Sequence, residues 1–392
     1  STAMASDTPP SLPPRQPGHR SSGFSIVELL VALAIGMALT AAITMVMMRH
    51  DASRRMLTSS NDSQLNANYL GYVLDRALRN AGTGFAQGWR TTYGCLLHAS
   101  RSGTKLLPRT AGFPAPFGSV SGQVRLAPLI IHAGAGADGS DIIMVAAGAS
   151  GMGESASRVL PGSATSTSVL IPTTVGMRGN DLVLVAEAGM GCMVQQMAAP
   201  FTGGATQLVT MGGTYAASTI AGVNLGNYSG AATVSMLGNS VGNQPQLQLI
   251  GLGDAGTLFS HDLLRLDGAD AARPMANGVA DFQALYGIDT NNDGELDNWV
   301  SPADAGWTAA ELQNGSDAAR DRLLTIMAVR LGLVLRDDRI ERETVSAAGL
   351  TLFADLPAAV RTTRSLSSDE QRMRHRILEM TIPMRNNIHQ AR

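Results

Sequence analysis

One acidic loop of this chain has the residue types and the spacing to bind a metal ion. Its oxygen-bearing residues occupy positions one, three, five, seven and nine of a segment that has glycine at position six: Asp289, Asn291, Asp293, Glu295 and Asp297. These are EF-hand spacings, in which position seven contributes its backbone carbonyl. Position twelve is Val300, so the bidentate glutamate of that motif is missing. The loop predicts Ca²⁺ as a cofactor, with an ordinary polar turn as the alternative.

Three short glycine-containing strings resemble nucleotide-binding or catalytic motifs. G-x-G-x-x-G occurs at 134–139 and at 251–256, and G-x-S-x-G occurs at 238–242. A dinucleotide site and a nucleophile elbow both need a helix directly after the glycine-rich turn. No convincing helical pattern follows any of the three, and Pro245 opposes a helix after Ser240. We therefore predict no catalytic residues and interpret the chain as a protein that is not an enzyme.

The chain has two cysteines, Cys95 and Cys192, and no C-x-x-C pair. Two scattered thiols do not make a zinc site without help from distant histidines. If the domain that carries them lies outside the cytoplasm, one disulfide between them is the natural interpretation. Two unrelated buried thiols are the alternative.

The charge of the chain does not indicate a nucleic-acid-binding protein. The net charge is −2, so no overall field attracts polyanions. The C-terminal region is rich in arginine, but Asp369 and Glu370 lie among the arginines, as is typical of a solvated mixed-charge segment. These arginines are Arg361, Arg364, Arg372, Arg374 and Arg376. We do not expect nucleic acid among the partners.

The strongest change of character along the chain occurs at Gly23. Residues 1–23 are rich in Ser and Pro and contain no apolar run, whereas no residue from Leu29 to Met48 is charged. About 20 apolar residues are enough for a helix to span the core of a bilayer. No other segment of the sequence has this character, so we predict one membrane-spanning helix near the start.

Glu28 is unusual, because a carboxylate that lies deep in a membrane costs roughly a few kcal/mol. Such a group needs a partner. Phe24 lies four residues earlier on the same helical face. A cut after Gly23 would give Phe24 a free α-amine that could pair with a carboxylate of its own or of a neighbouring chain. The alternative is an ordinary signal anchor, whose first-turn glutamate is attracted by the helix dipole.

The segment Gly23-Phe24-Ser25-Ile26-Val27-Glu28, followed by the apolar run, resembles the prepilin cleavage and methylation signature of type IV pilins and type II secretion pseudopilins. The resemblance implies that a prepilin peptidase cuts between Gly23 and Phe24 and methylates the new amine. It also implies that Glu28 orders assembly by meeting the Phe24 amine of another subunit.

The N-terminal helix is expected to continue beyond the membrane. Apolar residues recur at helical spacing after it, and Gly82 could cap its end: Leu70, Leu74, Ala77, Leu78 and Ala81. The 43 glycines and the low aromatic content are typical of short strands and turns. We therefore predict an α+β fold with a leader at 1–23, a membrane-spanning half-helix at 24–48, a periplasmic half-helix at 49–82 and a β-rich extracytoplasmic domain at 83–392, on which the helix packs.

Eight segments of this domain have the pattern of strands: 127–132, 141–146, 181–186, 246–250, 263–266, 282–286, 326–335 and 377–383. A helix is the alternative for the seventh. Residues 199–242 are rich in Gly, Ala, Ser and Thr, and we expect them to form an elaborated variable region made mainly of loop.

The C-terminal third is similar to the PilW-type minor pilins of type IV pili, which are relatives of the J-type pseudopilins. The similarity rests on the run 282–289, the polar loop after it, the apolar strand at 328–334 and the ending Thr381-Ile382-Pro383-Met384-Arg385-Asn386. It implies a structural minor pilin that takes part in initiating pilus assembly and sits at the pilus tip. A type II secretion pseudopilin is one alternative. A calcium-dependent adhesive or ligand-binding tip module is an alternative of another class.

The same similarity implies the partners and the location of the chain. The partners would be the prepilin peptidase, other minor pilins, the major pilin and the inner-membrane assembly platform, with a tip adhesin as a further candidate. The protein would span the bacterial inner membrane once, with its domain in the periplasm, and then become part of a pilus on the cell surface.

Overall fold

The computed structural model describes Gly23 and residues 25–150, 156–204 and 207–388. Its contacts divide the chain into two units, Ser1–Ser59 and Ser60–Arg392. The α-helices are α1 (Ile26–Arg79), α2 (Trp89–Thr92), α3 (Ala309–Leu312), α4 (Asp317–Thr325) and α5 (Arg385–Ile388). Thus α1 is the one long helix of the part of the chain that the structure describes.

Short strands dominate the rest of the chain. They are β1 (Leu97–Arg101), β2 (Thr104–Leu107), β3 (Leu129–His132), β4 (Ile142–Ala147), β5 (Ser157–Arg158), β6 (Ser168–Leu170), β7 (Asp181–Ala186), β8 (Cys192–Gln196), β9 (Leu208–Thr210), β10 (Thr219–Ile220), β11 (Val223–Asn224), β12 (Thr233–Asn239), β13 (Gln246–Gly253), β14 (Thr257–Asp262), β15 (Arg273–Ala276), β16 (Val279–Ile288), β17 (Asn298–Val300), β18 (Ile326–Ile340), β19 (Gly349–Leu352), β20 (Thr362–Ser365) and β21 (Met373–Pro383). An N-terminal apolar helix followed by a β-rich domain confirms the predicted α+β class.

The strands form three principal sheets. The six-stranded sheet has the order β2-β1-β8-β7-β12-β5, the five-stranded sheet β15-β14-β13-β4-β3, and the four-stranded sheet β17-β16-β18-β21. The pair β1 and β8 is parallel, whereas the neighbours within the other two sheets are antiparallel. Because strands distant in sequence are neighbours in the first sheet, its topology depends on long-range pairing rather than on hairpins alone.

The second half of α1 packs on the β-rich domain through one face. The predicted stripe is buried in full: Leu70, Leu74, Ala77, Leu78 and Ala81. This face belongs to the main hydrophobic core, which also includes Phe282 of β16 and Leu331 of β18. Burial of one stripe at helical spacing is how an amphipathic helix gains stability from tertiary packing.

The predicted end of α1 needs a correction. The helix ends at Arg79, and Gly82 does not cap it, because its N–H donates to the Ala146 carbonyl of β4 at 2.8 Å. Gly82 has a φ of +85°, a conformation that favours glycine. The side chain of Asn386 instead donates to the Ala81 carbonyl at 2.9 Å. Asn386, which is distant in sequence, therefore supplies a hydrogen bond to a backbone carbonyl in the turn after the helix.

The prediction that residues 199–242 form a loop region rather than a core element is wrong in part. The described residues of this region contain β9 to β12, and β12 pairs with β7 in the six-stranded sheet. Strand β7 is buried on both faces. Leu182 and Leu184 enter the main core, whereas Val183 and Val185 enter a second hydrophobic core. The region therefore builds part of a second core that shares a sheet with the first.

Most of the other strand predictions hold. Segment 181–186 coincides with β7, and the segment at 326–335 is the strand β18 rather than a helix. The predicted strand at 263–266 is wrong, because β14 ends at Asp262 and Arg265 has a φ of +50°. Both carboxylate oxygens of Asp262 accept backbone N–H groups, from Leu264 and Leu266, which closes a turn at this point.

Candidate functional site: the N-terminal assembly segment

The first turn of α1 is closed by two side chains of the signature. The Val27 N–H donates to Ser25 Oγ at 3.3 Å, and the Ser25 N–H donates to Glu28 Oε2 at 3.4 Å. This is a variant of the capping box, in which the Glu28 side chain at the third helical position accepts the Ser25 N–H and Ser25 accepts the N–H of the second position rather than the third. Glu28 is exposed, and Phe24 lies outside the described residues. Within one chain, therefore, Glu28 has a helix-capping role.

The spacing Ser-x-x-Glu is the sequence signal for this capping role, which neither the charge-pair interpretation nor the helix-dipole alternative uses. The two roles are compatible, because a carboxylate has lone pairs for more than one donor. A capped Glu28 is also held at the helix N-terminus, where the dipole favours negative charge. An ammonium group of a neighbouring chain could approach the exposed carboxylate without breaking the helix.

The N-terminal part of α1, which contains Glu28, has the length and composition of a membrane-spanning helix. It covers Ile26–Met48, has a mean hydropathy of 2.4 and is 0% buried within the structure. Exposed side chains include Leu30, Leu33 and Ile43. Such a continuous apolar surface is not stable in water, so it requires lipid or other helices around it. This fits a membrane-anchored pilin.

Cleavage at Gly23 gives the first testable prediction. We expect the protein purified from its native host to begin at an N-methylated Phe24, because the chain changes from a polar leader to an apolar run at that bond. Mass spectrometry of the intact protein and of its N-terminal peptide measures this directly. A mature chain that begins after the apolar run would contradict the prediction.

The structure joins Cys95 and Cys192 in a disulfide, as predicted. Their Cα atoms lie 5.7 Å apart, within the usual range for a bridge. Cys95 precedes β1 and Cys192 opens β8, and the neighbouring Leu97 is the register partner of Cys192 in the parallel pair. Both cysteines are buried. The bridge therefore pins the start of the pairing between two strands that are distant in sequence.

The acidic loop is held by hydrogen bonds to its own backbone. Asp289, which is buried, accepts the N–H groups of Asn292 at 2.6 Å and Gly294 at 2.9 Å. The carboxylate of Asp297 accepts the side chain and the N–H of Thr290, and these bonds hold the pKa of Asp297 below its usual range. This arrangement is that of a polar turn.

Two further residues of the loop bond to each other. The amide of Asn291 donates to Asp293 at 2.9 Å, and the Glu295 N–H donates to the same carboxylate at 2.8 Å. Among the described residues, no group of three or more His, Cys, Asp or Glu side chains is placed to hold a metal ion. Calcium binding stays a prediction.

The prediction can be tested by thermal unfolding in calcium and in chelator. If the loop binds Ca²⁺ in the folded state only, the wild-type Tm should rise by about 5 °C when calcium exceeds Kd a hundredfold. The double variant Asp293→Asn with Asp297→Asn loses two charges with little change in side-chain size, so its Tm should not respond to calcium. Equal wild-type Tm values in calcium and in chelator would contradict calcium binding and show that the loop is an ordinary polar turn.

The three glycine-containing strings lie at turns between strands or at the strand ends beside them. The string at 134–139 connects β3 to β4, whereas the string at 251–256 covers the last three residues of β13 and the turn to β14. Ser240 lies in the turn from β12 to β13, and its hydroxyl donates to the Asn180 carbonyl at 3.2 Å. None of the three opens an α-helix, so the helix N-terminus that a pyrophosphate or a nucleophile elbow requires does not follow them.

The C-terminal arginines are engaged with other groups of the protein. Arg364 pairs with Glu370 at 3.0 Å, and Arg374 pairs with Glu341 at 3.4 Å. Arg376 donates to the Gln64 side chain of α1 at 2.5 Å. These contacts are those of the mixed-charge surface that the sequence predicted.

Two family models match the chain. The model described as Prokaryotic N-terminal methylation motif matches residues 18–44, which include Gly23, Phe24 and Glu28. The model described as Type IV Pilus-assembly protein W matches residues 236–386, which include β13 to β21 and the acidic loop. Comparison with curated proteins and with solved structures gave no match.

The two matches agree with the physical features of the segments they cover. The first covers the capped N-terminus and most of the apolar part of α1, and the second covers the four-stranded sheet, whose strands β16 and β18 contribute to the main core. Both descriptions indicate a structural component of the pilus machinery. In its methylation motif, its apolar N-terminal helix and its C-terminal family match, this chain is similar to the type IV pilin-like proteins of the PilW type.

Proposed function

We propose that this chain is a minor pilin that takes part in initiating type IV pilus assembly and occupies the tip of the pilus. The observation that carries the proposal is the combination, in one chain, of the methylation motif at 18–44 with the pilus-assembly match at 236–386. The apolar part of α1 anchors the subunit in the inner membrane before assembly. The β-rich domain then faces the periplasm, and the prepilin peptidase acts on the bond between Gly23 and Phe24.

The size of the β-rich unit supports a position at the end of the filament. Residues 60–392 form one compact unit, whose described residues include three hydrophobic cores, two of which share a sheet. In a filament built by repeated head-to-tail contacts, every interior subunit is bounded on both sides by neighbours. A subunit at the end has neighbours on one side only, so a large domain meets no steric limit there.

A role in initiation follows from the same geometry. The first subunit of a filament must attract the next one without help from subunits below it. The exposed carboxylate of Glu28 and the exposed apolar surface of Ile26–Met48 are the two features available for that step. The other minor pilins, the major pilin and the inner-membrane assembly platform are the partners that this role requires, and a tip adhesin is a further candidate.

A deletion strain complemented with an epitope-tagged chain tests this proposal. The tag is placed in the exposed turn at 241–244, between β12 and β13. Deletion should abolish most surface pili while the major pilin accumulates in the membrane, and gold-labelled antibody should bind one end of each restored pilus. Label along the whole filament would contradict tip placement, and normal piliation after deletion would contradict a role in initiation.

The same deletion strain distinguishes the proposed function from its two alternatives. A type II secretion pseudopilin would leave piliation unchanged and would reduce the secretion of extracellular enzymes instead. The adhesive alternative predicts normal pilus number with reduced attachment. Pilus counts, secreted enzyme activity and surface attachment, measured in one set of cultures, therefore distinguish the three functions.

A further inference from the structure

A groove lies between the second half of α1 and the five-stranded sheet. Its volume is about 520 Å³, within the range of about 300–1,000 Å³ that is usual for small-molecule sites. Buried apolar side chains contribute to its lining, among them Ala77 of α1, Pro245 before β13 and Ile250 of β13. The groove is thus framed largely by regular secondary structure.

The polar lining of the groove offers hydrogen-bond donors that the protein itself does not use. Within the described part of the chain, the Arg76 guanidinium and the Ser260 hydroxyl have no hydrogen-bond partner. Gln246 donates its side-chain amide to Gln248 Oε1 at 3.1 Å. This bond uses one of the two lone pairs of the Gln248 oxygen, so the Gln248 NH₂ group remains available to a ligand.

The charges that line the groove balance each other. Two arginines, Arg76 and Arg273, stand against two carboxylates, Asp262 and Asp267. Arg273 and Asp267 form an ion pair, and Asp262 accepts two backbone N–H groups of its own turn. A ligand of net charge therefore gains little here, whereas a neutral ligand that both donates and accepts hydrogen bonds meets groups of both kinds.

An exposed aromatic ring stands at the rim. Tyr72 lines the groove with 66% of its surface exposed. A ligand that covered this ring would stabilise its apolar surface. From the neutral charge, the free donors and this ring, we propose that the groove binds a saccharide. Sugar hydroxyls donate and accept at once, and the C–H face of a sugar ring packs on an aromatic ring.

The test uses the full chain in a polyoxyethylene detergent, because detergents with sugar headgroups would compete. Maltotriose, N,N′-diacetylchitobiose and lactose are titrated by calorimetry, with sorbitol, a polyol without a ring, as the control solute. At least one saccharide should bind, and sorbitol should not. Tyr72→Ala and Arg76→Ala should each weaken binding by about tenfold or more, which corresponds to roughly 1.4 kcal/mol.

Tyr69→Ala is the matched control, since Tyr69 is also exposed on α1 but does not line the groove. Its affinity should equal that of wild type. Both groove variants replace exposed residues, so an unchanged Tm verifies that they fold. The proposal is overturned if no saccharide binds better than sorbitol, if the groove variants retain wild-type affinity, or if a peptide segment of another pilus subunit binds the groove and the sugars do not. None of these outcomes bears on pilus incorporation, which is measured separately.

Discussion

Glu28→Ala is expected to leave the protein in the membrane and to reduce its incorporation into pilus assemblies on the order of a hundredfold. Membrane insertion depends on the apolar segment Ile26–Met48, whose apolar residues the change leaves in place. Assembly depends on a carboxylate that we propose pairs with the Phe24 amine of a neighbouring subunit in apolar surroundings. Removal of one partner from such a pair leaves an uncompensated charge, at a cost of roughly 3–5 kcal/mol. Cell fractionation and quantification of the chain in sheared pili measure the two effects.

The capping role of Glu28 in the structure makes a sharper comparison available. Glu28→Gln removes the charge but keeps the oxygen that can accept the Ser25 N–H. If the charge pair matters, the Glu28→Gln variant should fail as badly as the alanine variant. Ser25→Ala removes the other half of the capping box and keeps the charge, so it should assemble with an efficiency close to wild type.

The opposite pattern would refute the charge-pair role. Normal incorporation of the Glu28→Gln variant together with a failure of Ser25→Ala would show that helix capping is the function of this side chain. Normal piliation with Glu28→Ala would show that neither role matters for assembly. Co-purification with other minor pilins provides an independent readout of the same three variants.

Removal of the disulfide is expected to have the largest effect on folding stability. The bridge between Cys95 and Cys192 closes a loop with a sequence separation of 97. In the chain-entropy model, a loop of about 100 residues contributes roughly 4–5 kcal/mol by restricting the unfolded chain. The double variant Cys95→Ala with Cys192→Ala should therefore melt about 10 °C below the oxidised wild type. Thermal unfolding of the full chain in detergent is the measurement.

Reduction of the wild type provides the matched control. Dithiothreitol should lower the Tm of wild type to that of the double variant and should leave the variant unchanged, since the two then lack the same cross-link. Alkylation before and after reduction should detect both thiols only after reduction. Two thiols that react freely in natively exported protein would contradict the bridge.

The sequence by itself determined the features that depend on local patterns. The change of polarity at Gly23, the uncharged run to Met48 and the buried stripe on the second half of α1 each follow from neighbouring residues. A helix repeats every 3.6 residues, and a membrane-spanning helix needs about 20 apolar residues. Both patterns can therefore be recognised within a short segment of sequence. The strand β7 was predicted with its bounds for the same reason, because its continuous apolar run is short and ends at turn residues.

The tertiary structure alone decided which distant segments meet. Strand β1 pairs with β8 in parallel, Asn386 donates to the Ala81 carbonyl, and the groove takes Tyr72 from α1 and Ser260 from β14. The second core likewise draws on residues 199–242, whose composition of small side chains suggested loops. Small residues are compatible with either a turn or a strand. Strand β7 buries one face in each core, so apolar side chains must pack against both of its faces. This requirement is met in part by strands formed from residues 199–242.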